Sequence, residues 1–238
     1  MPASPLASAG REPPLCRMRR LLRTVLSFLL VAAVAMALAL ALDGWAYAHV
    51  YDAGVYDHDL GRMLRVMGFL PLWILAAAAL ALSDAGVPAG GAEPPAAPSG
   101  DAARSVPARR WFSRALPLVL APALSGGVGE LLKLVIRRER PWAHAGAWVF
   151  RPWSDHPFSS AGLSTPSSHA LVAFGAAFAL ARLFPRGWPV WYLLAIGCAL
   201  TRVAARAHFL SDVTLGALVA WAVTAALWHW LAPRRAAS

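Results

Sequence analysis

Six apolar runs follow one another along the 238-residue chain, separated by polar segments. They lie at residues 24–42, 66–83, 115–136, 170–185, 189–205 and 213–231. A helix needs about 20 predominantly apolar residues to cross the hydrocarbon core of a bilayer, and most of these runs approach that length. The pattern therefore predicts an all-α, polytopic membrane protein in which six transmembrane helices form one bundle.

The polar segments complete this predicted organisation. A cytoplasmic N-terminal segment (1–23) precedes two transmembrane helices (24–83), and a core with four further transmembrane helices (115–232) is followed by a short tail (233–238). The segment between the two halves, 84–114, is rich in Gly, Pro, Ala and Ser, which predicts a flexible loop. Prolines and a glycine group predict breaks in the third transmembrane helix, at Pro117, Pro122, Gly126, Gly127 and Gly129.

Composition and charge narrow the class of protein. Hydrophobic residues make up 58% of the chain and charged residues only 14%, which excludes disorder and disfavours a soluble domain. The net charge of +10 would suggest nucleic acid in a soluble protein. Here the arginines are distributed around the spans without a compact basic domain, so we expect no nucleic-acid partner and instead expect contact with anionic lipid head groups.

Arginines in the short connections predict the orientation, because such loops remain in the cytoplasm. The N-terminus, the 84–114 loop, the 182–188 turn and the C-terminus with Arg234 and Arg235 fall on one side. The predicted location is a bacterial inner membrane with both termini cytoplasmic. The opposite, periplasmic face is also basic, against the topological rule, with Arg137, Arg138, Arg140, Arg151, Arg202 and Arg206. This excess indicates a function for that face.

The first polar cluster on this face runs from Lys133, the only lysine of the chain, to Pro141. On a continuous helix, positions 133, 137 and 140 share one stripe and point three cations at a common spot. An ionisable group inside a span costs about 2.5–3.5 kcal/mol on insertion scales, so Lys133 is expected to line a wet cavity. Snorkelling to the interface is the simpler interpretation for Arg137 and Arg138.

The second cluster, Thr165-Pro-Ser-Ser-His169, directly precedes the fourth span. Thr165 is the predicted N-cap and Pro166 the first helical residue. Free backbone amides and the hydroxyls of Ser167 and Ser168 then converge at a helix N-terminus, which is an anion site, with His169 at its edge. A helix cap without any ligand is an equally acceptable interpretation of this cluster alone.

The third cluster, residues 201–212, joins the fifth and sixth spans. His208 and Asp212 are four positions apart, so the carboxylate could accept a proton from one imidazole nitrogen and fix the tautomer of the other. A nucleophilic or basic histidine is prepared in this way. Arg202 lies six positions before His208, so a bend must separate the two if both contact one ligand.

Together the three clusters resemble the signature of the type 2 phosphatidic acid phosphatase superfamily: KxxxxxxRP, then PSGH, then SRxxxxxHxxxD. Lys133 to Pro141 matches the first motif in full. The second is matched with Ser168 in place of glycine, and the third with Thr201 in place of serine. The resemblance covers about residues 115–232.

This resemblance implies a metal-independent membrane phosphatase that needs no cofactor and acts on a lipid phosphate or diphosphate. His208 would be the nucleophile that forms a phosphohistidine, Asp212 would orient it, and His169 would be the general acid. The phosphate-binding residues would be Lys133, Arg140, Ser167, Ser168 and Arg202. Candidate substrates are undecaprenyl diphosphate, phosphatidylglycerophosphate and phosphatidic acid.

Two alternatives remain open at the level of sequence. A non-catalytic lipid-phosphate-binding or transport protein of the same fold would keep the basic cavity and tolerate loss of His208. A vanadate-dependent haloperoxidase shares the signature. The six apolar runs count against this alternative, because the haloperoxidases with this signature are soluble proteins. The lipid tail, the choice between monophosphate and diphosphate and the oligomeric state are not determined by these patterns.

Overall fold

The computed structural model of the chain describes residues 14–86 and 102–236, and within these it is helical. Seven α-helices occur there: α1 (Pro14–His49), α2 (Asp59–Val66), α3 (Leu70–Gly86), α4 (Ala102–Ile136), α5 (Ser168–Leu183), α6 (Trp188–Ala204) and α7 (Leu210–Ala236). The only β pairing in the described residues is two isolated bridges in the loop after α4. The prediction of an all-α protein is confirmed.

The described residues contain fewer candidate spans than the pattern of apolar runs predicts. Within residues 14–86 and 102–236, three helical segments are long and apolar enough to cross a membrane: Val25–His49, Arg114–Ile136 and Leu210–Leu231. The pair α2 and α3 is a fourth candidate if the two helices form one bent span. Helices α5 and α6 have only 16 and 17 residues, so the predicted count of six is not confirmed.

The second predicted span, 66–83, differs from the structure at its start. The axes of α2 and α3 meet at 71°. Gly68 lies at this bend, and its backbone is pressed against the first turn of α5. This approach brings α2, a short helix that packs on α6, to the end of the bundle where the motifs lie.

The predicted breaks in the third span are wrong, because α4 continues through all five positions. Pro117 and Pro122 are buried against neighbouring helices, an environment in which a membrane helix tolerates proline. The glycines instead allow close packing. A Cβ at position 129 would lie 2.0 Å from Cδ1 of Leu171, so glycine at this position lets the Leu171 side chain of α5 lie directly against α4.

Helix α5 is the centre of the bundle and packs against α4, α6 and α7. Five of its six alanines are almost completely buried, which allows helices to approach on several sides. Helix α1 lies outside, chiefly against α7, with most of its large apolar side chains exposed to the surroundings. The predicted loop 84–114 is helical at its two ends (84–86 and 102–114), and its middle part lies outside the described residues.

Candidate active site

The three polar clusters meet at one end of the bundle. Lys133 lies in the last turn of α4, the second cluster begins α5, and the third forms the junction between α6 and α7. Backbone hydrogen bonds connect them, since Ser167 N–H donates to the carbonyl of Asp212 (3.2 Å) and Ser164 N–H donates to the carbonyl of Arg138. The segments that carry the three motifs are therefore adjacent, as the sequence pattern predicts.

His208 lies in the junction between α6 and α7 and is 3% exposed. Its Nδ1 is 2.8 Å from the carbonyl oxygen of Ser164. Because a carbonyl can only accept, Nδ1 carries the proton and Nε2 keeps its lone pair. Burial lowers the pKa of His208 to about 4 despite the opposing effect of Asp212, and Arg202 and Arg140 lower it further. The imidazole is therefore neutral at physiological pH, as a nucleophile requires.

Asp212 lies 3.7 Å from Nδ1 of His208, further than the Ser164 carbonyl. Its Oδ2 accepts the backbone N–H of Phe209 (2.7 Å), which ties the junction to the first turn of α7. Its Oδ1 accepts hydrogen bonds from Arg138 and from the hydroxyl of Thr165. Asp212 thus contributes a negative charge beside His208 and holds the surrounding loops, while Ser164 fixes the tautomer.

Three buried donors at this end of the bundle have no partner within the described residues: Nε of Arg140, Nε of Arg202 and Oγ of Ser167. A buried polar group without a partner is costly, so each is expected to bind something when the site is occupied. Burial, and secondarily the charge of Arg202, lower the pKa of Arg140, which shows that the two cations are close. Two cations and a hydroxyl with free donors form a site for an anion.

Lys133 is buried and interacts with the start of α5. Its Nζ donates to Oε1 of Glu130 (2.8 Å) and to the hydroxyl of Ser168, which in turn donates to Oε1 of Glu130 (2.6 Å). Ser168, which stands where the resembled motif has glycine, therefore accepts a hydrogen bond from Lys133. Glu130 lies outside the three clusters, although its i, i+3 spacing from Lys133 is a signal that could have identified it.

His169 lies in the first turn of α5 and is half-buried. A Cβ at position 68 would lie 2.7 Å from its Cβ and 2.8 Å from its Cα, so the bend between α2 and α3 supports the backbone of His169. No motif indicates this contact, because Gly68 lies far from the three motifs along the chain.

Tyr56 is a second residue that the motifs do not indicate. Its hydroxyl accepts from Nη1 of Arg202 (2.7 Å) and donates to the carbonyl of Thr201 (3.1 Å). Tyr56 thereby orients the guanidinium whose Nε is free. A bend does separate Arg202 from His208, as expected: α6 ends at Ala204, and Arg206 has a left-handed backbone (φ 50°).

The expectations for several arginines are wrong. Arg137 and Arg138 are buried instead of snorkelling, since α4 ends at Ile136 and the chain turns inward there. Arg137 has φ 58° and donates to the carbonyls of residues 151, 152, 155 and 157, so it does not share a stripe with Lys133 and Arg140.

Arg138 makes more contacts around His208 than the motifs indicate. Besides Asp212 it donates to Thr165 Oγ1 (2.6 Å) and Ser211 Oγ (2.7 Å), and its Nη1 is 3.6 Å from Oδ2 of Asp43. Arg138 therefore lies between two carboxylates behind His208.

The predicted cap of α5 is displaced by two residues. Thr165 is not the N-cap, because its hydroxyl is bound to Asp212 and Arg138, and Pro166 precedes the helix. The N-cap is Ser167, whose hydroxyl makes no capping hydrogen bond. The hydroxyl of Ser167 is therefore available to a ligand at the N-terminus of α5.

Within the described ranges, no three or more His, Cys, Asp and Glu side chains are grouped in a way that could hold a metal ion. The long apolar helices indicate a helical membrane protein, and the neutral histidine, the free cationic donors and the helix N-terminus form a candidate anion site. Sequence comparison is consistent with this class: the PAP2 superfamily profile matches residues 114–236, more than half of the chain. The chain belongs to the PAP2 superfamily.

Two curated relatives are similar over part of their length. A lipid A 1-phosphatase of Rhizobium johnstonii is 42% identical over 109 residues, which cover 44% of this chain and 43% of the relative. A lipid A 1-phosphatase of Rhizobium etli is 43% identical over 96 residues, 39% of each chain. The chain thus matches less than half the length of either relative. No solved structure matches the chain significantly.

Proposed function

We propose that this protein is an integral membrane phosphatase that hydrolyses a lipid phosphate or diphosphate through a phosphohistidine on His208. The observation that carries the proposal is the set of free buried donors of Arg140, Arg202 and Ser167 near a neutral histidine. Such donors stabilise the charge on the oxygens of a phosphoryl group in the transition state. Membership of the PAP2 superfamily and the names of the two relatives support this activity.

The proposed reaction has two steps. Nε2 of His208 attacks phosphorus, the bond from phosphorus to the leaving oxygen breaks, and that oxygen takes a proton from His169. Water then attacks the phosphohistidine, gives its proton to His169 and releases inorganic phosphate, which restores both histidines. Lys133 and Ser168 bind the phosphoryl oxygens together with the three free donors, and no cofactor takes part.

For the substrate, we place lipid A 1-phosphate beside undecaprenyl diphosphate, phosphatidylglycerophosphate and phosphatidic acid, because both relatives are named for lipid A. We propose that the site faces the periplasm of a bacterial inner membrane and that both termini are cytoplasmic. The arginine-rich N-terminal segment and C-terminal tail support this orientation.

The test is phosphate release by the purified protein in detergent from these four lipids, with EDTA present, for the wild type and His208→Ala. EDTA-resistant release that is lost in the variant is expected, and the rates rank the substrates. Release that persists near the wild-type rate in His208→Ala would refute the nucleophile. Absence of release from every lipid, with the protein folded, would favour a lipid-phosphate-binding or transport protein.

A further inference from the structure

Asp43 is a buried carboxylate on a helix whose other side chains are mostly exposed. Its exposed fraction is 1%, whereas that of Trp45, two residues further on, is 57%. A carboxylate within a membrane span is costly and is usually retained for a function. Asp43 also lies outside residues 114–236, the part of the chain that matches the family.

The contacts of Asp43 are directed at the start of α7 and at Arg138. Its Oδ1 accepts the backbone N–H of Ser211 (2.8 Å), and its Oδ2 accepts the Ser211 hydroxyl (2.6 Å). Oδ2 is also 3.6 Å from Nη1 of Arg138, whose Nη2 donates to Oδ1 of Asp212. A continuous chain of buried groups therefore leads from α1 to the carboxylate beside His208.

The charges along this chain suggest what Asp43 contributes. Arg138 is 5% exposed and Asp212 is fully buried, so neither charge is well screened by water. Two carboxylates and one guanidinium give a net charge of −1 behind a neutral His208. When Nε2 of His208 bonds to phosphorus and Nδ1 keeps its proton, the ring becomes cationic and the cluster becomes neutral. Without Asp43 the same step would leave Arg138, Asp212 and the imidazole ring with a combined charge of +1.

We propose that Asp43 is a positioning residue for the phosphatase reaction: it holds Arg138 against Asp212 and supplies the negative charge that balances the cationic phosphohistidine. This inference rests on the function proposed above. It assigns to the N-terminal helix α1 a part in the chemistry of a site that is otherwise built from the family's own region.

The test compares Asp43→Asn with the wild type, using kcat on the best lipid substrate and the Kd of orthovanadate. Asparagine keeps an acceptor for Ser211 but removes the charge. Orthovanadate bound to a histidine nitrogen resembles the pentacoordinate phosphoryl group of the transition state. The stoichiometry of its binding counts the intact sites, and its Kd reports the charge around them. We expect kcat per intact site to fall about 10- to 100-fold, the scale found when the hydrogen-bond partner of a metal-bound histidine is removed. The Kd should rise by a similar factor, with KM changed little.

The matched control is Asp84→Asn, because Asp84 also pairs with an arginine, Arg114 (2.9 Å), but at the other end of the bundle. It should alter stability without altering kcat per intact site or the vanadate Kd. If Asp43→Asn does not yield folded protein, Asp43→Asn combined with Arg138→Gln restores the net charge of −1. The charge argument then predicts a vanadate Kd closer to that of the wild type than that of Arg138→Gln alone.

The possible results separate the two proposals. If the wild type is active and Asp43→Asn leaves both kcat per intact site and the vanadate Kd unchanged, the proposed role of Asp43 is refuted. The phosphatase proposal then stands. A double variant with a Kd further from the wild type than that of Arg138→Gln also overturns it. A wild type that neither releases phosphate nor binds orthovanadate overturns both proposals.

Discussion

Replacing Tyr56 by phenylalanine removes a single oxygen atom from the surroundings of Arg202. That hydroxyl accepts from Nη1 of Arg202 at 2.7 Å, and Arg202 is only 6% exposed. A hydrogen bond to a charged group contributes about 1.5–3 kcal/mol, and a buried donor left without a partner loses that amount. Since about 1.4 kcal/mol corresponds to a factor of ten, the expected loss is about 10- to 100-fold if Arg202 must be held in place for the transition state.

The assay is kcat/KM for EDTA-resistant phosphate release, measured on Tyr56→Phe and on Tyr51→Phe. Tyr51 is the control because its ring lies under another guanidinium, that of Arg206, at 4.0 Å. Both variants keep the aromatic ring, so the comparison isolates the hydroxyl that contacts Arg202. A Tyr56→Phe enzyme with the kcat/KM of the wild type would refute the claim that Tyr56 orients Arg202.

Three further predictions follow from contacts around the site. Gly68→Ala places a Cβ within 2.8 Å of the His169 backbone and should lower kcat at least about 10-fold. The control Gly44→Ala, whose Cβ would meet nothing within 4 Å, should leave kcat unchanged. Equal kcat values for the two variants would contradict the claim that the bend at Gly68 supports His169. Glu130→Gln removes a half-exposed carboxylate that competes with phosphate for Lys133, so the Ki of inorganic phosphate should fall about 2- to 5-fold. An unchanged or higher Ki would count against this competition. Because the pKa of His208 is lowered to about 4, the acid-side loss of kcat/KM, corrected for substrate ionisation, should be centred near pH 4, and an acid-side loss centred at 6.5 would argue against a buried neutral nucleophile.

The motifs identified most of the candidate site because their chemistry is local. The spacing of His208 and Asp212, or of Lys133 and Arg140, can be recognised in one short segment. What the spacing could not reveal is which acceptor each group uses. Asp212 was expected to fix the tautomer of His208, yet the Ser164 carbonyl is 0.9 Å nearer, 2.8 against 3.7 Å, and Ser164 belongs to a loop whose path depends on tertiary packing.

Residues outside the motifs were missed for a different physical reason. Tyr56, Gly68 and Asp43 reach the site only because α1 and α2 pack against α6 and α7, and such long-range contacts leave no periodic signal in the sequence. The apolar runs predicted the helices well because a membrane requires long apolar stretches. They did not predict the 71° bend after α2, since a bend depends on how α5 accommodates Gly68.

The excess of arginine on the predicted periplasmic face can now be divided by hydrogen bonding. Five of these arginines donate side-chain hydrogen bonds within the protein: Arg137, Arg138, Arg151, Arg202 and Arg206. Arg140 and Arg202 each keep a buried Nε that has no partner among the residues that the structure describes. Cations that are saturated by carbonyls and carboxylates stabilise loops, whereas cations with free donors are available to an anion. The predicted departure from the positive-inside rule therefore has two causes, and only the two arginines with free donors are available to the proposed substrate.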